Sequence, residues 1–458
     1  MTLNWRKPVI MATLSMSGSK IPGYLKEIDQ VSRMSREEIV RYQEEKLKLL
    51  LLHAYRNVPY YHRILPESGV ISGGNVRLEH FEDIPFLTKD IIRKEGYNLY
   101  SSDYLKRKPY ENTSGGSTGE PVRFIQDRKY HEWNTATKLS FNKVLGKEIG
   151  DREIKFWGSD RDIFEGTIGI RNTLINFLYN RYFINSFRLT PQKLQNTVNE
   201  WDKFRPLFVW SYLSSVYELA RYLEKNNRTL LYPPKGIIVT AAPLSETMRV
   251  YLEKNLGTRI YTQYGSREVG AIACECKKQE GLHIFDFFQY VESIKQEHSQ
   301  DDILIVTNLR NFSMPLIRYQ IGDTANLKIG FCSCGQQSHV IQNITGRVTD
   351  HFILEDGTRI GGGCFYHLFL FKPWIKKYQV IQKDYSTILC KIVPEGEPQL
   401  SDIRDIEKKI RFLMGDSCNV IFEFVDKIEP SKSGKHRFVI CEMEKRVLSD
   451  IDSQNYQY

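Results

Sequence analysis

The sequence predicts an α/β protein with a large N-terminal α/β domain and a small α+β domain at its C-terminal end. Three observations predict it. At 458 residues the chain exceeds the usual size of one domain, so two cores are expected. A strand–helix–strand rhythm runs through residues 236–263, the pattern of a parallel sheet covered by helices. The last hundred or so residues change character, with strands following one another around a single helix.

The elements follow from spacing. From Arg36 to Asn57, Ile39, Tyr42, Leu47, Leu50, Leu51 and Ala54 keep an apolar stripe among charges, which predicts an amphipathic helix that Val58-Pro59 ends. Gly236 to Thr240 is a β-branched run and predicts a strand. A helix follows from Ser245, its N-cap, to Lys254, with Gly257 at its exit. Arg259 to Gln263 predicts the next strand, which leaves Tyr264-Gly-Ser-Arg-Glu268 beyond its carboxyl end, where ligands of such sheets bind. Towards the C-terminus, 377–383, 387–393, 419–425 and 437–442 predict strands, and 402–414 predicts a helix. The boundary is expected between Gly346 and Asp350, giving domains 1–346 and 347–458.

Composition excludes several classes. No stretch reaches the roughly 18 apolar residues of a membrane-crossing helix. The first residues lack the apolar core of a secretory signal, so a cytoplasmic protein is expected. The formal net charge is +9, but the basic residues are dispersed among acids and carry no nucleic-acid-binding motif. Such a field suits small anions. Cys364, Cys390, Cys418 and Cys441 stand alone, whereas Cys274-Glu-Cys276 and Cys332-Ser-Cys334 are closely paired. In a chain kept reduced, that pairing points to metal more than to disulfides.

The segment Thr113-Ser-Gly-Gly-Ser-Thr-Gly-Glu-Pro121 holds three glycines and four hydroxyl side chains in nine residues. Backbone N–H groups of such a loop can converge on phosphate oxygens, with hydroxyls as further donors. No lysine follows its last glycine, so it is not the loop of a P-loop NTPase.

This loop resembles the phosphate loop of adenylate-forming enzymes. Five further segments resemble motifs of that superfamily in the same order: Thr240-Ala-Ala-Pro-Leu244, Tyr264-Gly-Ser-Arg-Glu268, Arg318-Tyr-Gln-Ile-Gly-Asp323, Thr345-Gly-Arg347 with Asp350, and Pro430 to Arg437. Within the superfamily the chain is similar to the phenylacetate–coenzyme A ligase family with its CapK-like members. His53-Ala-Tyr-Arg-Asn-Val-Pro-Tyr-Tyr61, Phe81 to Lys89, and Glu275-Cys276 followed by Gly281-Leu-His283 carry that likeness. Two positions depart from the pattern. Arg267 stands where a threonine is usual, and Thr349 where the hinge has an acid, with Asp350 next.

The resemblance implies an AMP-forming ligase with a mobile C-terminal domain. A carboxylic acid and ATP with Mg²⁺ give an acyl-adenylate and pyrophosphate, and coenzyme A or an amine then takes the acyl group. Lys435 is implied as the catalytic cation between carboxylate and α-phosphate, and Glu268 as the Mg²⁺ ligand. Thr113, Ser114, Gly115, Gly116, Ser117, Thr118 and Gly119 are implied for phosphate. Ala241, Ala242 and Pro243 are implied for adenine, with Tyr264, Gly265 and Ser266 beside it, and Asp323 and Arg347 for ribose. Trp157 to Asp160 and Trp210 to Tyr212 are placed near the acid by chain order. A homodimer is the family expectation, with no nucleic-acid partner and no membrane span. The reading from another class is a non-catalytic nucleotide- and zinc-binding protein.

Cys276, His283, Cys332 and Cys334 could make a tetrahedral Cys₃His zinc site, with Cys274 as the alternative to His283 and reduced, unliganded thiols as the alternative to metal. Zinc there would fasten the segment after Glu268 to the loop after Asp323.

Overall fold

Ser35 starts the long helix through a reciprocal cap. Its hydroxyl accepts the Glu38 N–H at 3.3 Å, and the Glu38 carboxylate accepts the Ser35 N–H at 2.7 Å. The helix spans Arg36–Asn57 and buries Ile39, Leu47, Leu50, Leu51 and Ala54, the predicted stripe. Tyr42 lies at its margin. The computed structural model describes residues 4–114, 122–157, 170–186, 189–295, 302–328, 332–347, 351–355, 359–361, 365, 367–369, 372–429 and 437–443.

Four helices open the chain: α1 (Arg6–Met16), α2 (Ile21–Val31), α3 (Arg36–Asn57) and α4 (Pro59–Glu67). A two-stranded hairpin, β1 (Ile71–Ser72) and β2 (Asn75–Val76), leads to α5 (Lys89–Glu95) and a second hairpin, β3 (Tyr110–Thr113) and β4 (Arg123–Gln126). After α6 (Arg128–Leu145), strands and helices alternate: β5 (Glu153–Trp157), α7 (Ile170–Leu178), β6 (Arg181–Asn185), α8 (Pro191–Phe204), β7 (Phe208–Tyr212), α9 (Leu213–Lys225), β8 (Gly236–Thr240), α10 (Glu246–Leu256) and β9 (Ile260–Ser266). Strands β6, β5, β7, β8 and β9 are parallel neighbours in that order. Ser245 caps α10 through the Met248 N–H, and Gly257 leaves it in the left-handed region at φ +64°.

Past β9 the chain turns antiparallel. Strands β10 (Gly270–Glu275) and β11 (Leu282–Ile284) continue the sheet, followed in sheet order by β15 (Val340–Arg347), β14 (Tyr319–Lys328), β13 (Asp302–Asn308) and β12 (Gln289–Ile294). Strand β9 runs to Ser266, so Tyr264, Gly265 and Ser266 lie within it rather than beyond it. Pairing with β10 extends the strand, and only Arg267 and Glu268 are left for the turn.

The chain divides into two compact units. One holds Met1–Glu292, Ile305–Ile321 and Leu327–Asn343, and the other holds Ser293–Leu304, Gly322–Asn326 and Ile344–Tyr458. The core of the first joins Trp133 and Phe141 of α6 to Trp210, Ile238 and Tyr261 of the sheet. The second contains the hairpin β16 (His351–Ile353) and β17 (Arg359–Gly361), and a sheet ordered β20-β19-β18-β21. Its strands are β18 (Ile375–Asp384), β19 (Thr387–Pro394), β20 (Asn419–Phe424) and β21 (Val439–Cys441), and α11 (Leu400–Met414) buries Ile406, Ile410 and Met414 against them. Each predicted element of this region is present within two residues of the predicted bounds.

Candidate functional site

Hairpin β3–β4 carries the glycine- and hydroxyl-rich loop. Thr113 pairs with Arg123 at its open end. Ser114 is buried, donates its backbone N–H to the Val122 carbonyl at 2.9 Å, and accepts the Val122 N–H on Oγ at 2.9 Å. These two bonds close the neck of the loop. Gly115, Gly116, Ser117, Thr118 and Gly119 lie outside the described residues, as does Lys435.

Gln126, at the end of β4, ties this hairpin to the acidic turn. Its buried Nε2 donates to the carbonyls of Arg267 at 2.8 Å and Glu268 at 3.0 Å. The Glu268 side chain is buried and accepts from Tyr319 Oη at 3.4 Å. Behind the turn, Gln289 Nε2 donates to the carbonyls of Val269 and Ala271 at 2.6 and 2.9 Å. Asn308 Nδ2 donates to Val269 and to Gln289 Oε1, both at 3.1 Å. Asn134 Oδ1 accepts the Ala271 N–H at 3.1 Å. A buried amide network therefore fixes the backbone that carries Glu268. Sequence reasoning missed Gln126, Asn134, Gln289 and Asn308. They are single amides on four elements, and no motif marks them.

The turn is tight because Gly265 and Gly270 approach across it. A Cβ on Gly265 would lie 2.4 Å from the Gly270 carbonyl oxygen, and Gly270 sits at φ +80°. Ser266 Oγ accepts the Val269 N–H at 3.3 Å. At the carboxyl end of β8, Ala241 adopts φ +77°, where an alanine costs about 1–2 kcal/mol. Exposed Ala241 and Pro243 flank half-buried Ala242. Backbone strain of this kind collects at ligand-binding turns.

Trp157 and Tyr212 end adjacent parallel strands, and their rings meet with centroids 4.1 Å apart. Trp210 is instead a core residue, buried edge-on against Phe141 at 6.0 Å. Asp323 is half-buried on β14 in the second unit, and Arg347 ends β15. Thr349 and Asp350 lie outside the described residues.

Cys276, His283, Cys332 and Cys334 come together, with ligand atoms all within 4.8 Å of one another. Cys276 Sγ lies 3.6 Å from Cys332 Sγ, and Cys334 Sγ lies 3.5 Å from His283 Nε2. A tetrahedron of 2.3 Å metal–sulfur bonds has edges of roughly 3.7 Å, so the set fits zinc. His283 Nδ1 meets Ser338 Oγ at 2.8 Å, which leaves Nε2 for a metal. Burial pushes the Cys276 thiol up, but hydrogen bonds from His283, the Lys278 N–H and Cys332 outweigh it and hold the thiol below its usual range. Burial pushes the Cys332 and Cys334 thiols up. The loop behind the cluster is anchored by Asp286, which accepts the His339 N–H at 3.0 Å and faces His339 Nδ1 at 2.9 Å. Next to the cluster, Arg249 grips Glu275 with contacts of 2.6 and 3.2 Å, and Glu275 also accepts the Thr262 N–H at 2.7 Å.

Residues 352–442 match the family model of the CapK C-terminal domain. Protein CapK of Staphylococcus aureus is 25% identical over 427 residues, covering 91% of this chain and 92% of its own. A phenylacetate-coenzyme A ligase of Thermus thermophilus is 25% identical over 344 residues, covering 71% of this chain and 74% of its own. Among solved structures, 2-hydroxyisobutyryl-CoA ligase in the postadenylation state with 2-HIB-AMP superposes with a TM-score of 0.71 at 18% identity, covering 93% of this chain and 94% of its own. O-succinylbenzoate coenzyme A synthetase from Bacillus subtilis with ATP and magnesium superposes with a TM-score of 0.50 at 14% identity, covering 72% of this chain and 68% of its own. The fold is that of the adenylate-forming ligases, with a large N-terminal and a smaller C-terminal domain. In motif order, in the CapK likeness across nine-tenths of the length and in this fold, the chain is similar to the phenylacetate–coenzyme A ligase and CapK-like branch of the adenylate-forming superfamily.

Proposed function

We propose that this chain activates a carboxylic acid with Mg·ATP and passes the acyl group to coenzyme A. In the first step a carboxylate oxygen attacks the α-phosphorus and pyrophosphate leaves. In the second, the thiolate attacks the acyl carbonyl and AMP leaves with the bonding electron pair. The observation that carries this reading is Gln126, which holds the hairpin of the phosphate loop against the turn bearing Glu268. A phosphate cradle and a carboxylate for Mg²⁺ are what the first step needs side by side.

In this reading the loop of Thr113 to Gly119 holds the β- and γ-phosphates. Ala241 to Pro243 and Tyr264 hold adenine, and Asp323 with Arg347 holds ribose. Domain 347–458 turns between the half-reactions about Thr349 or Asp350 and delivers Lys435. Its ammonium offsets the repulsion between two anions as they approach. Zinc held by Cys276, His283, Cys332 and Cys334 has a structural role: it fastens the end of β10 to the loop after β14. A cytoplasmic homodimer with reduced thiols accords with this chemistry.

The test is pyrophosphate release over a panel of aryl, fatty, amino and sugar acids, with coenzyme A and amines compared as acceptors. Lys435→Ala is expected to lose at least about two orders of magnitude in adenylation while keeping much of the transfer from preformed acyl-adenylate. Equal losses in both steps would reject the role given to Lys435. Turnover with amines and none with coenzyme A would move the enzyme to amide synthesis.

A further inference from the structure

The face of the sheet towards α6 carries more positive charge than its fold requires. Trp210 of β7 packs on Phe141 of α6, so this face of the sheet looks towards that helix. Lys155 of β5 is in register with Trp210. Lys138 lies three residues before Phe141, on the same flank of α6. Arg181 is in register with Glu153 two residues below Lys155. Among the described residues, the carboxylate on this face, Glu153, is already taken. Its oxygens lie 2.5 Å from Lys147 Nζ and 2.7 Å from Arg181 Nε.

Lys155 and Lys138 are left over. Among the described residues neither forms a hydrogen bond or an ion pair. Lys155 is half-buried and feels Arg181, Lys138 and Lys147 as like charges. Glu153 is the one opposite charge acting on it among the described residues, and it is shared with Lys147 and Arg181, so a half-buried ammonium here is unfavourable without a further anion to meet it. A solvated surface lysine would swing clear, but Lys155 is fixed inside the parallel sheet.

The position gives the charge a use. Lys155 and Trp157 alternate on one strand and so share a face. Trp157 and Tyr212 form the aromatic pair at the carboxyl ends of the strands. Lys155 lies on the order of 7 Å from the level of these rings, two residues down the strand. We infer that the acid taken by this chain carries a second anionic group, remote from its reacting carboxylate, which Lys155 and Lys138 receive. The inference rests on the ligase reading above, because that reading places the acid at Trp157 and Tyr212. A carboxylate and a phosphate monoester share the required chemistry.

The experiment compares phenylacetate with para-carboxyphenylacetate and para-phosphonooxyphenylacetate, by pyrophosphate release and by calorimetric binding. At least one dianion is expected to show about tenfold or greater preference in kcat/KM and in affinity, the scale of a charge-assisted hydrogen bond. The better of the two identifies the anion. Lys155→Met and Lys138→Gln should each bring the dianion-to-monoanion ratio towards one. Lys138 is exposed, so its variant keeps the test valid if Lys155→Met fails to fold. Equal or weaker binding of both dianions by the unaltered protein overturns the inference, as does a ratio unmoved in Lys138→Gln. If no acid releases pyrophosphate, the ligase reading falls, and the binding ratios still decide whether this anion site exists.

Discussion

At the scale of single residues, Gln126 and Lys155 show what motifs leave out. Gln126 satisfies two carbonyls of the Arg267–Glu268 turn. Gln126→Ala should destabilise the protein by about 1–3 kcal/mol, the cost of leaving such groups unpaired, and should raise the KM for Mg·ATP. Denaturant unfolding and steady-state kinetics check both effects. Burial first, and then Arg181, push the Lys155 ammonium down to about 7 from its ordinary 10.5. The charged groups that act on it are Arg181 from β6, Glu153 on its own strand, Lys138 from α6, and Lys147. Between pH 7 and 10.5 the unfolded chain holds a proton at Lys155 that the folded one has released, so stability should rise with pH across this window. Thermal unfolding of Lys155→Met should show a flatter rise than the unaltered protein. Glu268, Asp323 and the cysteine pairs stand out in the sequence because a short pattern surrounds each. The buried amides do not, because an isolated Gln or Asn in a strand looks the same whether it faces water or a carbonyl.

At the scale of elements, local rules set most of the helices. Ser35 and Glu38 fix the start of α3, Ser245 and Gly257 bound α10, and the observed ends agree with those predicted. Strand β9 runs longer than predicted because its partner β10 supplies hydrogen bonds that no local signal announces. Its glycines answer to the same pairing. Gly265→Ala would drive a methyl group into the Gly270 carbonyl, a mechanism that places it among strongly destabilising substitutions. The clip of Cys276, His283, Cys332 and Cys334 joins the end of β10 to the loop before β15. Cys332→Ser, or exhaustive chelation, should lower the melting temperature by several degrees or more and release about one equivalent of zinc per chain. Elemental analysis and calorimetry check this, and a metal-free protein with unchanged melting would leave the thiols as plain buried side chains.

At the scale of the whole molecule, two compact units fit a catalytic cycle in which one part of the chain serves two half-reactions. Asp350→Pro should stiffen the proposed pivot. Adenylation should survive within a few-fold while acyl transfer falls by at least tenfold, read by following pyrophosphate and thioester separately. Equal loss in both would move the pivot elsewhere. The division of the chain also shows the reach of sequence reasoning. Composition shift and strand rhythm predict a boundary between 346 and 347, whereas Ser293–Leu304 and Gly322–Asn326 group with Ile344–Tyr458 in space, which no linear boundary expresses. By itself the sequence determined the alternation of strands and helices, the order of six short motifs and the two cysteine pairs, because each depends on neighbours within a few residues. Only the tertiary structure decided that Gln126 clamps the Glu268 turn, that His283 stands among the three cysteines, and that Lys155 lies in register with Trp210, which packs on α6. Those relations join residues on different elements, and they are fixed by burial and hydrogen-bond satisfaction, which exist only once the chain has closed on itself.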